Sequence, residues 1–245
     1  MGELIAVLSG KGGTGKTSVC AGLATALAGL GESVLCIDCD IVLRNLDIGL
    51  GLANTGPISF LEVCRGEYSL SQALRHPQYP DLAFLTAPVN CQAEDIDQAA
   101  FSQLLRQARD QFQYVFLDAP ACIERGFQLC AGHADRVILV TCPEPAAVRD
   151  AARAAQLREQ MGKNDVRLVV NRVNKKMFDI MNVTVDDVMD EAGLPLLGIV
   201  PEDANVTLAA AFEKPLLHYT RKGAAAACRR IAKRIQGLPV PISIR

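Results

Sequence analysis

Residues 10–17 read GKGGTGKT and constrain the fold of this chain more than any other segment. They fit the pattern G-x-x-x-x-G-K-T, with an apolar, strand-like run before them and a helical pattern after them. Glycines let successive backbone N–H groups point at phosphate oxygens, and the following helix adds its positive N-terminal end. The pattern predicts a phosphate-binding loop in which Lys16 reaches the β- and γ-phosphates of a nucleotide and Thr17 ligates Mg²⁺. The residues expected to contact the nucleotide here are Gly10, Lys11, Gly12, Gly13, Thr14, Gly15, Lys16, Thr17 and Ser18.

Short apolar runs alternate with helical patterns along the chain. Several runs, such as VILV at 137–140, are continuous, which is typical of strands covered on both faces in a parallel sheet. The predicted strands are 4–8, 33–37, 82–85, 114–117, 136–140, 167–170 and 196–200, and the predicted helices are 16–30, 93–110, 146–161 and 220–236. This alternation predicts an α/β fold of the P-loop NTPase type, a doubly wound, mostly parallel sheet with helices on both faces.

The chain shows no repeat, low-complexity tract or long linker, so we expect one domain over residues 1–245. The stretch 236–245 is expected to be an extended tail, because Pro239 and Pro241 oppose helix formation. The helix before it has basic residues on one face and an Ala-rich face that we expect to pack against the protein.

Composition describes an ordinary soluble protein, with a formal net charge of −2 and half of its residues hydrophobic. That charge provides no field to draw the whole molecule onto nucleic acid. Nine scattered cysteines, no signal-peptide pattern and no membrane-spanning run predict a reducing, cytoplasmic setting. The pair Cys36 and Cys39 lies along a strand and is expected to be structural, and the three histidines lack metal-ligand spacing.

Carboxylates follow two of the predicted strands. Asp38 and Asp40 come at the end of the second strand, and Asp118 ends the apolar run YVFLD. The carboxyl ends of parallel strands meet at one edge of the sheet, where ligands bind. We therefore expect Asp118 to hold Mg²⁺ directly or through water. For the two aspartates after the second strand, helix capping is the alternative interpretation.

Lys11, directly after the first glycine, makes the loop resemble the deviant Walker A loop of the ParA/MinD group of ATPases. The stretch D-x-D-x-x-L-R-N-L-D, ending at Asp47, resembles the switch I segment of MinD, with Val42 in place of a glycine. DAPACIE resembles switch II, with Cys122 in place of another glycine. The chain resembles MinD-type cell-division site-selection ATPases from residue 4 to about 217.

This resemblance implies a catalytic set of Lys11, Lys16 and Asp40 and a metal set of Thr17, Asp40 and Asp118. Lys11 would reach across a nucleotide-sandwich dimer to the partner's phosphates, and Asp40 would orient or activate the attacking water. Glu144 and Asp150 resemble residues at the dimer face, and Asp150 could pair with Lys11 when nucleotide is absent.

The resemblance also implies an adenine pocket. Asn171 would hydrogen-bond the base, and the other residues expected there are Arg172, Pro201, Glu202 and Asp203. The segment NRVN ends in Asn174, which lacks the carboxylate that guanine-binding sites use, so ATP and ADP are the expected nucleotides.

For function, the resemblance implies a Mg²⁺-dependent ATPase that positions the division septum. Such a protein is a soluble monomer with ADP and a homodimer at the inner face of the cell membrane with ATP. It recruits a MinC-like division inhibitor and, in many bacteria, meets an activator of hydrolysis. The apolar residues of the tail are few, so reversible membrane attachment through it is left open.

The sequence also allows other functional interpretations. A ParA-type partition ATPase would bind DNA without sequence specificity through the basic helix at 221–234. A flagellar-placement ATPase, a non-hydrolysing nucleotide-binding adaptor and an iron–sulfur carrier using Cys91 and Cys122 are further alternatives. We expect no specific nucleic-acid partner.

Overall fold

The computed structural model describes residues 1–89, 91–92, 95–121, 125–160 and 165–242. Eight strands form one sheet in the order β3-β4-β2-β5-β1-β6-β7-β8. All neighbours are parallel except β3 and β4, which are antiparallel. The strands are β1 (Glu3–Leu8), β2 (Val34–Asp38), β3 (Leu74–His76), β4 (Tyr79–Leu85), β5 (Tyr114–Asp118), β6 (Arg136–Thr141), β7 (Val166–Val173) and β8 (Leu196–Pro201).

Helices connect the strands and cover both faces of the sheet. They are α1 (Lys16–Ala28), α2 (Leu46–Leu50), α3 (Phe60–Cys64), α4 (Gln98–Gln111), α5 (Arg125–His133), α6 (Pro145–Gln160), α7 (Lys175–Met181), α8 (Val185–Ala192), α9 (Ala204–Ala211), α10 (Leu216–Tyr219) and α11 (Gly223–Ile235). The predicted class, a doubly wound and mostly parallel α/β sheet of the P-loop NTPase type, is confirmed.

The hydrophobic core has a layer on each face because successive strand side chains point in opposite directions. In β1, Val7 belongs to the apolar layer that includes residues of α1 and α11, whereas Leu8 belongs to the layer that includes residues of α4 and α5. Both side chains are fully buried. Burial on both faces explains why the central strands are continuous apolar runs.

All seven predicted strands are present, with small shifts at their ends. Strand β3 was not predicted, because three residues are too few to show a period. The helix predicted at 93–110 begins instead at Gln98, where Asp97 caps it by accepting from two backbone N–H groups. Ala93 and Met161, at predicted helix ends, lie outside the described residues.

The C-terminal helix packs as expected. The buried face of α11, which includes Ala224 and Ile231, lies against α1 and β8. Beyond it the chain turns at Gly237, and the guanidinium of Arg234 donates to the carbonyl oxygens of Val240 and Pro241 at 2.8 and 2.6 Å. Residues 243–245 of the predicted tail lie outside the described part of the chain. Within that described part, no helix combines the length and the apolar character needed to cross a bilayer.

Candidate functional site

The loop at 9–15 joins the buried strand β1 to helix α1 at the carboxyl edge of the sheet. Gly13 and Gly15 adopt left-handed backbone angles, with φ of 82° and 87°, which side-chain-bearing residues resist. A Cβ atom on Gly13 would meet nothing within 4 Å, whereas one on Gly15 would collide with the side-chain amide of Asn171. The loop therefore packs closely on Asn171 at Gly15 and has open space at Gly13.

Lys16 and Asp118 form a buried ion pair beneath this loop. The Lys16 Nζ lies 2.6 Å from Asp118 Oδ1, and the two side chains are 6% and 1% exposed. Burial lowers the pKa of Lys16, but the adjacent Asp118 carboxylate outweighs this and leaves that pKa raised. Burial also raises the pKa of Asp118, against the opposing effect of Lys16. The structure thus brings together the two residues expected to hold the phosphates and the metal.

The donor set here fits Mg²⁺. Asp118 Oδ2 is buried and has no hydrogen-bond partner, and Thr17 Oγ1 lies 3.3 Å from the Lys16 Nζ that pairs with Asp118 Oδ1. A buried, unpartnered carboxylate oxygen is costly unless a ligand completes it. Among the described residues, no group of three or more His, Cys, Asp or Glu side chains is placed to hold a metal. This is compatible with Mg²⁺, which proteins usually bind through one or two carboxylates together with substrate phosphates and water.

Asp38 organises the segment after β2. It was not among the catalytic, nucleotide-binding or metal-binding residues predicted from the sequence. Its Oδ1 accepts from the backbone N–H of Asp40 at 2.9 Å, and its Oδ2 accepts from that of Leu46 at 3.2 Å. Burial, followed by the charge of Asp118, raises the pKa of Asp38 to about 7. The capping interpretation therefore describes Asp38 well.

Asp40 is 6% exposed, and its Oδ1 accepts from the backbone N–H groups of Val42 and Leu43 at 3.2 and 3.0 Å. These bonds turn Val42 and Leu43 outward, leaving them 81% and 60% exposed. Arg44 follows with a left-handed φ of 49°, a strained angle for a residue other than glycine. The segment is thus held at Asp40 but presents the apolar side chains of Val42 and Leu43 to solvent. Cys122, the unusual residue of the switch II segment, lies outside the described residues.

Lys11 pairs with Glu144, at 3.8 Å, and both side chains are largely exposed. The expected pairing with Asp150 is wrong, because the Asp150 carboxylate pairs with Arg153 at 3.6 Å. The main chain at Asp150 packs directly against Gly10, where a Cβ would collide with it. An exposed pair such as Lys11–Glu144 is weak, so Lys11 can readily take another partner.

A cavity of about 340 Å³ adjoins the loop. Of the residues expected at the base, Asn171, Arg172, Pro201, Glu202 and Asp203 all line it, together with Gly15 and Ser18 of the loop. The lining residues not foreseen from the sequence come from β8 and four different helices: Val19, Val200, Ala204, Val206, Thr207, Leu216, Ala224 and Cys228. Their spacing in the sequence gave no signal of a shared site.

An irregularity in β7 orients two of these residues, Asn171 and Arg172, at the cavity. The register with β8 shifts between Val170 and Val173, and Arg172 has a left-handed φ of 55°. Asn171 Nδ2 donates to the carbonyl oxygen of Thr14 at 2.8 Å. Its Oδ1 remains as an acceptor for a base amino group. Bulges of this kind often redirect side chains beside active sites.

Among the described residues, Cys228 is the one cysteine that lines the cavity, and no histidine lines it. Cys36 and Cys39 are buried and free, as expected. His76, which the sequence did not distinguish from the other histidines, is buried and bonds through Nε2 to the carbonyl oxygen of Leu50 at 2.8 Å. It therefore ties the edge strand β3 to helix α2.

Comparison with known proteins agrees with this geometry. Residues 5–216 match the family model of the CobQ/CobB/MinD/ParA nucleotide binding domain. The septum site-determining protein MinD of Bacillus subtilis is 39% identical over 250 residues, covering 100% of this chain and 92% of that protein. MinD of Synechocystis is 36% identical over 244 residues, covering 98% and 92%.

Solved structures give the same result. The MinC:MinD cell division protein complex of Aquifex aeolicus aligns with a TM-score of 0.91 and 32% identity, covering 98% of each chain. MinD of Pyrococcus horikoshii with Mg-ADP aligns with a TM-score of 0.84 and 25% identity, covering 96% of each chain. A ParA family ATPase of Chlorobium tepidum shares the fold at 20% identity. The chain therefore belongs to the MinD family of septum site-determining proteins, within the MinD/ParA group of ATPases.

Proposed function

We propose that this chain is a Mg²⁺-dependent ATPase that acts in septum-site determination and changes its association state with the bound nucleotide. The observation that carries the proposal is the buried Lys16–Asp118 pair with its unpartnered Asp118 Oδ2, set under a loop that also bears Lys11. Phosphates entering the loop offer Lys16 a new anionic partner. Asp118 is then released, with Thr17 beside it, to hold the metal.

The chemistry asked of the protein is mainly positioning and charge stabilisation. Mg²⁺, which Asp118 and Thr17 would hold, would supply positive charge to offset that of the phosphates. Lys16 holds the phosphates, and Asp40, buried at the same edge, orients the attacking water. Lys11 leaves its exposed pair with Glu144 and reaches the phosphates of a second copy, as an arginine finger does when supplied in trans.

Adenine is the base that the cavity suits. The amide oxygen of Asn171 stays free, while its amide nitrogen donates to the loop. The amide nitrogen of Asn174 donates to Glu202 Oε2 at 3.0 Å. Adenine presents a donor amino group, which the Asn171 oxygen accepts. ADP and ATP are thus the proposed ligands.

The proposed partners are a second copy in the ATP state, a MinC-like division inhibitor and an activator of hydrolysis. The inhibitor is supported by the likeness to MinD in the Aquifex aeolicus MinC:MinD complex. Reversible attachment to the inner face of the cell membrane would use the tail, where Leu238 and Ile242 are exposed. Two weak tails in one dimer bind cooperatively.

The partition-type alternative, DNA binding through α11, is not favoured. Arg229 donates to the carbonyl oxygens of Leu217 and Arg221, and Arg234 donates to three others. Guanidinium groups held in this way are poorly available to DNA phosphates. The relatives with the higher identities are also MinD proteins rather than partition proteins.

The test is the mass of the protein in solution with ADP and with a hydrolysis-resistant ATP analogue, followed by co-sedimentation with anionic vesicles and with duplex DNA at two salt concentrations. We expect a monomer with ADP, a dimer with the analogue, and retention of the dimer by vesicles. Retention of the dimer by DNA alone would contradict the proposal. So would a single mass with both nucleotides.

A further inference from the structure

Asp203 stands at the edge of the base cavity, but both of its carboxylate oxygens are engaged by the protein. Oδ1 accepts from the backbone N–H of Asn205 at 2.9 Å and from its side-chain amide at 2.7 Å. Oδ2 accepts from the backbone N–H of Ala224 at 2.9 Å, 21 residues along the chain. One carboxylate thus caps the first turns of both α9 and α11.

Helix α11 depends on this distant cap. Its own N-cap residue, Lys222, makes no side-chain cap bond, and its first turn has no acidic residue. The unbonded N–H groups and positive end of a helix favour a nearby carboxylate. Gly223, with a φ of 55°, permits the approach, because a Cβ there would collide with Asp203 Oδ2.

The two capped helices form walls of the cavity. Val206 on α9 and both Ala224 and Cys228 on α11 line it. Cys228 also packs tightly on α1, where a Cβ on Gly22 would lie 2.7 Å from its Sγ. The position of α11 relative to α9 therefore sets the shape of the space available to a base.

We propose that Asp203 is a positioning residue that shapes the base cavity by fixing α9 and α11 together, without touching the base itself. The inference rests on the proposed function, since it takes the cavity to hold the adenine of a nucleotide. It also assigns Asp203 a different role from that of Asn171, which keeps a free acceptor.

Three variants separate this role from others. Asp203→Ala removes both caps, and Asp203→Asn retains one acceptor but turns an amide donor toward one of the helices. Gly223→Ala displaces the carboxylate while leaving its charge in place. The matched control is Asp187→Asn, which weakens the capping box of α8 with Thr184. Helix α8 is wholly described and has no residue in the wall of this cavity.

The measurement compares the affinity for Mg-ADP with that for Mg-tripolyphosphate, which uses the phosphate loop but has no base. We expect Asp203→Ala and Gly223→Ala to bind ADP about tenfold more weakly, the factor that corresponds to about 1.4 kcal/mol and a typical lost cap. Their affinity for tripolyphosphate should stay within about twofold of the unmodified chain. Asp203→Asn should be intermediate, and Asp187→Asn should match the unmodified chain with both ligands.

Amide hydrogen exchange supplies a second readout. The N–H of Ala224 should exchange faster in Asp203→Ala, and ADP should slow that exchange in the unmodified chain. Because Gly223→Ala keeps the carboxylate, it still tests the proposal if Asp203→Ala does not fold.

Three results would overturn the proposal. One is an unchanged ADP affinity in both Asp203→Ala and Gly223→Ala, and another is an equal loss for ADP and tripolyphosphate. The third is a loss, in Asp203→Asn but not in Gly223→Ala, of the preference for ADP over IDP, which lacks the amino group. That result would indicate that Asp203 contacts the base directly. If the unmodified chain gains nothing from the base over tripolyphosphate, the adenine site itself is refuted, and the role of Asp203 with it.

Discussion

At the scale of single residues, the buried pair of Lys16 and Asp118 determines how the site meets its ligands. The lysine expected to hold phosphate is paired with the carboxylate expected to hold metal. Phosphate and metal are therefore coupled: a phosphate that takes Lys16 as its partner frees the Asp118 oxygen held in the 2.6 Å contact.

Asp118→Asn tests this coupling. The amide is a weaker partner for Lys16, so we expect ADP without metal to bind several-fold more tightly than to the unmodified chain, whereas added Mg²⁺ should no longer strengthen binding. Calorimetric titration of ADP in EDTA and in Mg²⁺ measures both effects. Unchanged affinity in EDTA would show that the ion pair does not compete with phosphate.

The two lysines of the loop should separate binding from association. Lys16 is buried and Lys11 is exposed. Lys16→Ala should abolish tight nucleotide binding. Lys11→Ala should retain ADP binding and lose ATP-dependent dimerisation, because its proposed target belongs to a second copy. Nucleotide titration and mass in solution check both, and equal losses in the two variants would contradict this division of roles.

At the scale of elements, His76 links strand β3 to helix α2, which follows the Asp40 segment. Its Nδ1 accepts from the backbone N–H groups of Gln78 and Tyr79, so Nε2 must carry the proton that bonds to Leu50. Burial, with a smaller effect from His218, lowers its pKa below the ordinary value of 6.5. The folded protein therefore needs a neutral ring at this position.

This requirement gives a pH dependence with a definite sign. Below about pH 6.5 the unfolded chain takes up a proton that folded His76 refuses. The free energy of unfolding should therefore fall from pH 6.5 down to the lowered folded pKa, and this contribution should be constant above 6.5. His76→Gln should remove it and cost about 1–3 kcal/mol at neutral pH, as measured by urea unfolding. A fall of the same size in the variant would assign the dependence to other groups.

At the scale of the whole molecule, Arg234 connects three parts of the chain: helix α11, strand β8 and the tail. From α11 its guanidinium donates to the carbonyl of Leu197 in β8 at 2.9 Å and to those of Val240 and Pro241 in the tail. Burial, followed by the charge of Arg230, lowers the pKa of Arg234.

Arg234→Ala should destabilise the fold by about 2 kcal/mol, because hydrogen bonds from a charged group are lost and carbonyl oxygens are left unpaired. Arg234→Lys should recover little of it, since a single ammonium cannot replace the planar fork. Urea unfolding of both variants measures this. Full recovery by lysine would show that charge alone, rather than the geometry of the fork, holds the tail.

How much of the fold and of the candidate site could be predicted from the sequence depended on how far apart in the chain the interacting residues lie. The loop, Asp118 and the central strands follow local rules of spacing and burial, and they were predicted closely. Strand β3 was too short to show a pattern, and Lys11 pairs with Glu144, a residue far from it in the chain. The double cap of Asp203 and the helical walls of the base cavity join residues far apart in the chain, and no local pattern encodes such contacts.

The contact between Asn171 and the loop has an evolutionary consequence. The side chain of Asn171 bonds to the backbone of Thr14 and fills the space that any side chain on Gly15 would need. Two segments separated by more than half of the chain are therefore under one shared constraint. Within this lineage a change at position 171 will be tolerated only with a compensating change in the loop, so the two positions should covary as a pair.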